Sequence, residues 1–442
     1  MLWLAGLILN VWKGIALMNQ PADASYRDPH RWVVFSVICL IYFFVYFHRV
    51  STSVIVPDLL AAFNTNATAL GFMSSMYFYI YALNQPIVGY LADRIGPRRV
   101  IAYWSMAAAG GCFIFGLAPS IGWATLGRAL IGFGVGGVYV PTVKALSQWF
   151  REKEFATMVG LLMSVGNFGA VVATTPLAWA AGTWGWRPTF FIIGSVTLGM
   201  AVLMLTITRD SLQTKKPDGR HDNGPGTPPP NLARNMVTIV ASTQFWIVAT
   251  IFFGIYGTAV TLQGLWATPF LMAVLDIERI LASKLNMLIP IGVIIGAPFF
   301  GWLPNRFSLN KAKTLIFITA VYTLCWLAIL LVFDRLGIVG FATLFFVMGI
   351  VIGGFISTIW GIIRETTPVE RLGLTSGILN PAPFLGVAAF QVLTGSIIDR
   401  AGRAGELYSL SGFKSAFGVC LAGALVCLVL SFFIKAKSTS GE

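Results

Sequence analysis

The sequence GYLADRIGPRR, residues 89–99, stands between two long apolar runs. A decayed copy, GWLPNR, stands at residues 301–306. Glycines let helix ends approach closely, an aspartate can cap or pair with a neighbouring helix end, and arginines make charge-assisted hydrogen bonds. The repetition predicts two related halves, and we expect a conformational role for this motif. Its candidate residues are Gly89, Asp93, Arg94, Gly96 and Arg98.

The composition indicates a membrane protein. Of the 442 residues, 57% are hydrophobic and only 11% are charged, and the mean hydropathy is +0.79. Soluble proteins average about 25% charged residues. These values exclude a soluble enzyme, a nucleic-acid-binding protein and a secreted scaffold as descriptions of the whole chain. The five cysteines all lie in apolar runs and are odd in number, which argues against a disulfide framework.

Twelve apolar runs are long enough for spanning helices, each of which needs about 20 residues. They fall at 32–60, 69–91, 100–118, 121–149, 156–180, 187–207, 243–274, 280–303, 312–333, 336–363, 372–398 and 409–434. The chain is therefore predicted to be an all-α membrane protein with twelve transmembrane helices in two pseudo-symmetric bundles. The predicted boundaries are 1–31 for a cytoplasmic N-terminal segment, 32–207 for the first bundle, 208–242 for a cytoplasmic linker, 243–434 for the second bundle and 435–442 for a cytoplasmic tail.

The basic residues are divided unequally between the two sides of the predicted bundle. If the N-terminus is cytoplasmic, the loops on that side hold 20 of the 30 lysines and arginines, and the opposite loops hold six. The positive-inside rule then places both termini in the cytoplasm and the chain in the inner (plasma) membrane. The net charge of +13 is accordingly interpreted as a topology signal and not as nucleic-acid binding.

Few charges remain inside the predicted spans: Arg49, Arg128, Lys144 and, at an edge, Lys414. A charge inside a span is costly and marks a functional site by default. Because no aspartate or glutamate lies deep in any span, a buried arginine favours an anionic ligand. The alternatives are that helix carbonyls and water satisfy Arg49, and that Lys144 snorkels to the membrane surface.

Polar and aromatic side chains recur at helical spacing on three predicted spans. The stripes are Tyr42, Tyr46, Arg49 and Ser53 in span one, Ser74, Tyr77, Tyr81 and Gln85 in span two, and Ser357, Trp360 and Arg364 in span ten. We interpret them as the wall of a wet cavity. There an arginine can hold a carboxylate or phosphate with two hydrogen bonds, and tyrosines supply hydroxyl donors. Each tyrosine taken alone is more often a packing residue.

Arg128 begins the glycine-rich sequence RALIGFGVGG, residues 128–137. Small residues on one helix face permit close packing of a neighbouring helix. An arginine near the outer end of this span can bond carbonyls of a neighbour or move during a conformational cycle. We therefore expect a structural or coupling role for Arg128 and no contact with substrate.

The loop at 89–99 resembles the signature of the major facilitator superfamily, and other motifs resemble its anion:cation symporter branch, which carries sugar acids and other organic anions. These motifs are YFHR at 46–49, FREKEFA at 150–156, GWR at 185–187, STIW at 357–360 and RLGLTSGILN at 371–380. The resemblance covers nearly the whole chain. It implies that seven positions face substrate: Tyr46, Arg49, Tyr81, Asn167, Ser357, Trp360 and Asn380. Tyr77 and Gln263 complete the predicted substrate-binding set.

Two positions depart from the branch pattern. The branch usually has aspartate where His48 stands, and often glutamate where Val135 stands, and those carboxylates carry protons in symport. His48 is the one internal group whose unperturbed pKa, about 6.5, lies near neutral pH, so it is the candidate for proton coupling. Repulsion from Arg49 would keep it neutral until an anion arrives. The alternative is a histidine bonded to a neighbouring helix with no proton role.

Together these features predict a carrier that imports a small organic anion, such as a sugar acid, by proton symport and alternating access. An anion exchanger for phosphorylated or dicarboxylate metabolites is the alternative, and two cations in the cavity would favour it. A drug/proton antiporter fits less well because span five has no Gly-Pro pair and the spans have no deep acid. Without a catalytic constellation, cofactor motif or metal cluster, the chain is not predicted to be an enzyme. The expected partners are the anion, protons and the lipid bilayer, with no nucleic acid, and the expected state is a monomer.

Overall fold

The computed structural model describes residues 29–209, 232–307, 309–333, 335–404 and 407–435. Most of the predicted N-terminal segment, of the linker and of the tail therefore lies outside the described residues. Within the described part the chain is almost entirely helical, with one short antiparallel ladder between β1 (Arg403–Ala404) and β2 (Leu407–Tyr408).

The described residues of the first predicted bundle form nine α-helices and a 3-10 turn at Ser53–Ile55. The helices are α1 (His30–Val50), α2 (Val56–Phe63), α3 (Ala67–Ile95), α4 (Pro97–Leu117), α5 (Ile121–Gly136), α6 (Tyr139–Trp149), α7 (Glu152–Val172), α8 (Thr175–Trp184) and α9 (Trp186–Thr206).

The described residues from 232 onward form ten α-helices and a π-helical turn at Leu262–Trp266. The helices are α10 (Leu232–Val240), α11 (Thr243–Thr261), α12 (Ala267–Leu275), α13 (Arg279–Asn286), α14 (Leu288–Arg306), α15 (Lys311–Val332), α16 (Ile338–Thr366), α17 (Val369–Leu379), α18 (Pro381–Arg400) and α19 (Leu410–Ser431).

Several predicted spans consist of two of these helices in series. By length and composition the described residues contain ten candidate spans, and α7 with α8, bent by 41°, makes an eleventh. The remaining predicted span corresponds to α3, whose 29 residues give ample length but whose Tyr, Asn and Gln side chains make it less apolar. The described helices thus coincide with all twelve predicted spans, and the expectation of an all-helical membrane protein is confirmed.

The breaks within spans follow from local chemistry. Helix α8 has Pro176 in its first turn, and α18 begins at Pro381. Proline lacks the amide hydrogen that an uninterrupted helix needs. Between α11 and α12 the chain widens into the π-helical turn at Leu262–Trp266, a type of bulge that is often found at functional sites.

Glycine-mediated contacts pack the same pair of helices in each half. A Cβ placed on Gly132 of α5 would lie 2.2 Å from the Tyr77 carbonyl oxygen of α3. A Cβ on Gly349 of α16 would lie 2.1 Å from the Ile289 carbonyl oxygen of α14. Any side chain would therefore force these backbones apart. The close packing predicted for the glycine-rich sequence at 128–137 agrees with this geometry, and the two halves repeat it.

We call the face where α1 begins and α19 ends the termini face, and the face where α3 begins and α18 ends the far face. At the termini face, Asp93 pairs with Lys144 at 2.6 Å, Arg31 pairs with Glu154 at 3.3 Å, and Lys311 pairs with Glu365. Each of these pairs joins helices of the same half.

Contacts at the far face join the two halves. Asp58 of α2 pairs with Arg279 of α13. The Asp399 carboxylate at the end of α18 accepts hydrogen bonds from the backbone amides of Ala67 and Thr68 at 2.7 Å each. It thereby caps the N-terminus of α3, where an anion is favoured. The far face is consequently closed by an ion pair and a helix cap.

Candidate functional site

Arg49 lies on α1 and reaches across to the second half. Its side chain is buried, and Nη1 donates a hydrogen bond of 2.6 Å to the hydroxyl oxygen of Tyr256 on α11. Its guanidinium lies over the ring of Tyr46, 4.3 Å from the centroid, and 5.3 Å from that of Phe384 on α18. Nε has no hydrogen-bond partner among the described residues. The guanidinium is therefore held by aromatic rings and one phenol, with donor capacity left over.

A cavity of about 400 Å³ lies beside this arginine. Its wall consists of Tyr46, Arg49, Val50, Gly160, Met163, Ser164, Asn167, Ala170, Tyr256, Ala259, Val260, Gln263, Pro290, Val293, Ile294, Ala297, Pro298, Ile352, Ile356 and Ser357. Both halves contribute, through α1 and α7 on one side and α11, α14 and α16 on the other. No acidic residue is among these twenty, so the wall offers no carboxylate to balance Arg49.

Five of the nine predicted substrate-binding residues line this cavity, namely Arg49, Tyr46, Asn167, Gln263 and Ser357. The structure therefore brings together residues from three different helices and the π-helical turn. Gln263 stands in that turn, where the helical ladder is interrupted. Sequence spacing on single helices could not establish that these side chains meet.

The other four predicted residues lie outside this cavity. Tyr77 is fully buried and donates to the Val45 carbonyl oxygen at 3.0 Å. The ring of Tyr81 lies 4.3 Å from that of Phe384. Trp360 packs against Phe252 with ring centroids 5.6 Å apart. Asn380 precedes α18, and its amide donates to the Gln85 side chain at 3.5 Å. Their contact with substrate stays a prediction.

His48 points into the packing between α1, α4 and α5. The residue is fully buried, and its Nε2 lies 3.7 Å from the Cys112 sulfur. Nδ1 has no hydrogen-bond partner within the described residues. His48 is not part of the cavity wall, although it is the sequence neighbour of Arg49. The predicted role in proton coupling is therefore not supported by direct access to the cavity and stays a prediction.

Arg128 is also fully buried but lies away from the cavity wall. Its Nη1 donates to the His48 carbonyl oxygen at 2.9 Å, and its guanidinium lies 4.9 Å from the centroid of the Tyr77 ring. Arg128 thus bonds a carbonyl of a neighbouring helix, which is one of the two structural roles expected for it from the sequence. These contacts connect α5 with α1 and α3, which are two of the three helices that carry the predicted stripes.

The motif at 89–99 was predicted as a loop but forms the end of α3 and the start of α4, with Gly96 between them, and it lies at the termini face. Lys144 of α6 bonds both the Asp93 carboxylate and the Ala92 carbonyl oxygen, at 2.6 and 2.9 Å, so Lys144 is paired and does not merely snorkel. Arg98 donates to the carbonyls of Met204 and Leu205 at the end of α9.

Two glycines and an arginine of this motif have simpler surroundings. Gly96 has φ +85°, which favours glycine. Arg94 lies over the Tyr90 ring at 5.1 Å. A Cβ on Gly89 would meet no atom within 4 Å. The expectation that Gly89 permits close helix approach is therefore wrong for this conformation, because no neighbour approaches it.

Tyr256 is the residue of this site that sequence reasoning missed. It stands on α11, seven residues before Gln263 of the π-helical turn, a spacing that equals two turns on one face of an uninterrupted helix. Its partner Arg49 is 207 residues away in the sequence. A tyrosine and a polar residue at helical spacing in an apolar run could have identified it. The same pattern identified the stripes on the other spans.

Comparisons with known proteins agree with this architecture. A family model described as Major Facilitator Superfamily matches residues 38–382. The chain is 24% identical to a D-galactonate transporter of Escherichia coli O6:H1 (strain CFT073), over 95% of this chain and 99% of that protein. It is 21% identical to a probable hexose phosphate transport protein of Chlamydia pneumoniae, over 91% of each. It is 28% identical to a probable sulfoacetate transporter of Cupriavidus necator, a match that spans 42% of this chain and only 43% of that protein.

Solved structures show the same fold. One of a bacterial homolog of the human lysosomal transporter Spinster has a TM-score of 0.74 at 17% identity, and the alignment covers 92% of this chain and 97% of that one. One of a D-xylose-proton symporter has a TM-score of 0.70 at 13% identity, covering 93% and 99%. The predicted resemblance, including that to the organic-anion branch, is confirmed. The protein is a multi-pass membrane transporter and not an enzyme, and it belongs to the Major Facilitator Superfamily.

Proposed function

We propose that the protein imports a small organic anion, a carboxylate such as a sugar acid, by proton symport with alternating access. The observation that carries this proposal is Arg49, a buried cation in the wall of an inter-half cavity that has no acidic residue. An anionic ligand would supply the missing counter-charge. The names of the relatives, which include a D-galactonate transporter, support an organic anion as the class of substrate.

Alternating access requires a site that both halves share. Arg49 belongs to the first half and Tyr256 to the second, and they meet at 2.6 Å beside the cavity. An anion bound here would touch both halves at once, so their relative motion would expose it to one side and then to the other. We place the termini face in the cytoplasm and the chain in the inner membrane, because the basic residues concentrate on that side.

The alternative is exchange of phosphorylated or dicarboxylate metabolites, suggested by the probable hexose phosphate transport protein among the relatives. Two cations in the cavity would favour it. Within the described residues the cavity wall contains one, because Arg128 lies outside it. A singly charged carboxylate is therefore the better-supported substrate.

The proposal is tested by substituting Arg49 in the purified full chain. A screen of sugar acids, monocarboxylates and sugar phosphates should identify ligands that raise the melting temperature, since a ligand of the folded state stabilises it. Arg49→Ala should abolish that shift and uptake into proteoliposomes. Arg49→Lys should retain little of the thermal shift or of the uptake, because lysine cannot reproduce the planar pair of donors.

The matched control is Lys313→Ala, which removes one positive charge from an exposed position at the start of α15. It should leave both the ligand-induced shift and uptake unchanged. Native uptake by Arg49→Ala would remove the anion-site proposal. Loss of uptake in the control would show that overall charge, and not the position of Arg49, governs transport.

A further inference from the structure

We infer that the preferred substrate is a monocarboxylate with an apolar body, aliphatic or aromatic, and not a polyhydroxylated acid or a phosphate ester. This inference rests on the proposed function, since it assumes that Arg49 holds the anionic group. The names of the relatives point to hydrophilic substrates. The cavity wall of this chain has a different character.

One side of the cavity is apolar. All five residues that α14 contributes to the wall are apolar: Pro290, Val293, Ile294, Ala297 and Pro298. From α16 come Ile352 and Ile356, with Ser357 as the one polar residue of that helix in the wall. A hydroxyl group held against such a surface loses hydrogen bonds to water without replacement, which disfavours its binding.

The two serine hydroxyls of the wall and one of the two amide hydrogens of Asn167 are bonded to helix carbonyls. Asn167 donates to the Met163 carbonyl oxygen at 2.9 Å. Ser164 donates to that of Gly160 at 3.0 Å, and Ser357 to that of Ala297 at 2.7 Å. A substrate hydroxyl beside the two serines finds acceptors but no free donor, whereas the second N–H of Asn167 and the amide of Gln263 stay available. These two amides cannot serve all the hydroxyl groups of a sugar acid, and those that face α14 would find no donor.

The donors suited to an anionic group lie together at Arg49 and Tyr256. Arg49 has an unpartnered Nε, and Tyr256 accepts from Nη1 while its own hydroxyl hydrogen has no acceptor among the described residues. Together they can bind one anionic group from the two halves. The wall has no second cation for the extra charge of a phosphate ester. One anionic end and an apolar body match this distribution of charge and surface.

A matched pair of ligands tests the inference. Cyclohexanecarboxylate and D-glucuronate each carry a carboxylate on a six-membered ring, and they differ chiefly in the hydroxyl groups. We expect the purified full chain to bind cyclohexanecarboxylate at least tenfold more tightly, by thermal shift and by competition for uptake. Glucose 6-phosphate should bind more weakly than either. Tighter binding of glucuronate or of the phosphate would overturn the inference.

The isosteric substitution Val293→Thr adds one hydroxyl to the apolar wall. It should weaken the binding of cyclohexanecarboxylate several-fold and reduce the ratio of the two affinities, cyclohexanecarboxylate over glucuronate. Val351→Thr makes the same change at a buried position on α16 outside the cavity wall, and it should leave the ligand ratio unchanged. An unaltered ratio in Val293→Thr, or an equal change in Val351→Thr, would contradict the inference.

Failure of the inference is distinguishable from failure of the proposed function. If glucuronate binds more tightly and Arg49→Ala abolishes that binding, the anion site stands and only the substrate class is wrong. If no anion in the series stabilises the native chain, the proposed function fails and the inference fails with it.

Discussion

Tyr256 is the residue through which the second half touches Arg49. Removing its hydroxyl in Tyr256→Phe should raise the Kd for the anion about tenfold, because hydrogen bonds to charged groups contribute roughly 1.5–3 kcal/mol. Binding can be measured by titrating the native and variant proteins calorimetrically. Tyr322→Phe is the control, since Tyr322 is a buried tyrosine of α15 whose hydroxyl bonds Thr258 at 2.8 Å, outside the cavity wall. An unchanged Kd in Tyr256→Phe would leave Arg49 without a functional partner in the second half.

Proton coupling through His48 stays a prediction, and a single substitution tests it. His48→Gln keeps a polar side chain but removes the titrating group. In proteoliposomes it should abolish accumulation driven by an imposed pH gradient while sparing exchange of substrate across the membrane. If the variant still accumulates substrate, His48 does not carry the proton, and the carboxyl group of the substrate becomes the candidate carrier. A native protein that ignores the gradient would instead favour the exchanger.

At the residue scale, the sequence identified the buried charge but not the side chains that contact it. Arg49 could be identified because an unpaired charge in an apolar run is rare and costly. Helical spacing could not show where Tyr81 lies relative to the cavity, because it gives the face of a residue but not what packs on that face. Here Phe384 of α18 lies on Tyr81. Tyr256 was missed for the converse reason, since its significance comes from a partner 207 residues away.

Among the elements, the connection between α3 and α4 carries a prediction about rate. The Asp93 side chain is largely exposed, so its ion pair with Lys144 adds little stability. The pair also joins α6 to the end of α3. Asp93→Asn should therefore leave the Kd for the anion within a few fold and slow transport, because the residue tunes an equilibrium between conformations without touching substrate.

The partner substitution Lys144→Gln identifies the cause of such an effect. If the ion pair is responsible, Lys144→Gln should slow transport to a similar degree, and the double variant should be no slower than either single one. Transport rates in proteoliposomes, beside ligand-induced thermal shifts, check both parts. Complete loss of binding in a folded Asp93→Asn protein would contradict the assignment.

The elements show what an apolar pattern can and cannot reveal. Run length predicted where spans lie, because a bilayer demands about 20 apolar residues whatever the fold. It did not predict the division of span seven by a π-helical turn at Leu262–Trp266. A π-turn has the same apolar composition as the helix around it, so the hydropathy of the sequence does not change where the turn begins. Gly132 was predictable as a packing residue, but its neighbour Tyr77 was not.

At the scale of the whole molecule, the contacts between the halves show which face of the cavity they close, and the sequence alone does not. A carrier with two conformations has one sequence for both, so hydropathy and motifs cannot say which end is closed. The structure has its inter-half ion pair and helix cap at the far face, whereas the ion pairs named at the termini face each stay within one half. The far-face contacts must break before the cavity can open on that side.

Asp399 provides the test of this closure. Its carboxylate caps α3 through the amides of Ala67 and Thr68. The neutral side chain in Asp399→Asn would lose the favourable interaction with the helix N-terminus, which is worth roughly 0.3–1 kcal/mol, or about two- to fivefold in an equilibrium. Asp58→Asn would weaken the ion pair with Arg279 at the same face.

We expect Asp399→Asn, and more so the double variant with Asp58→Asn, to populate a state that is open at the far face. Spin labels at Ala62 of α2 and Val339 of α16, both exposed, would report this as a longer component in the distance distribution. Lys313→Ala, which alters one charge away from the far-face contacts, should leave the distribution unchanged. If the labelled distances are the same in all variants, the cap and the ion pair do not hold the far face closed. Apolar packing of α3 against α18 would then have to supply the closing free energy.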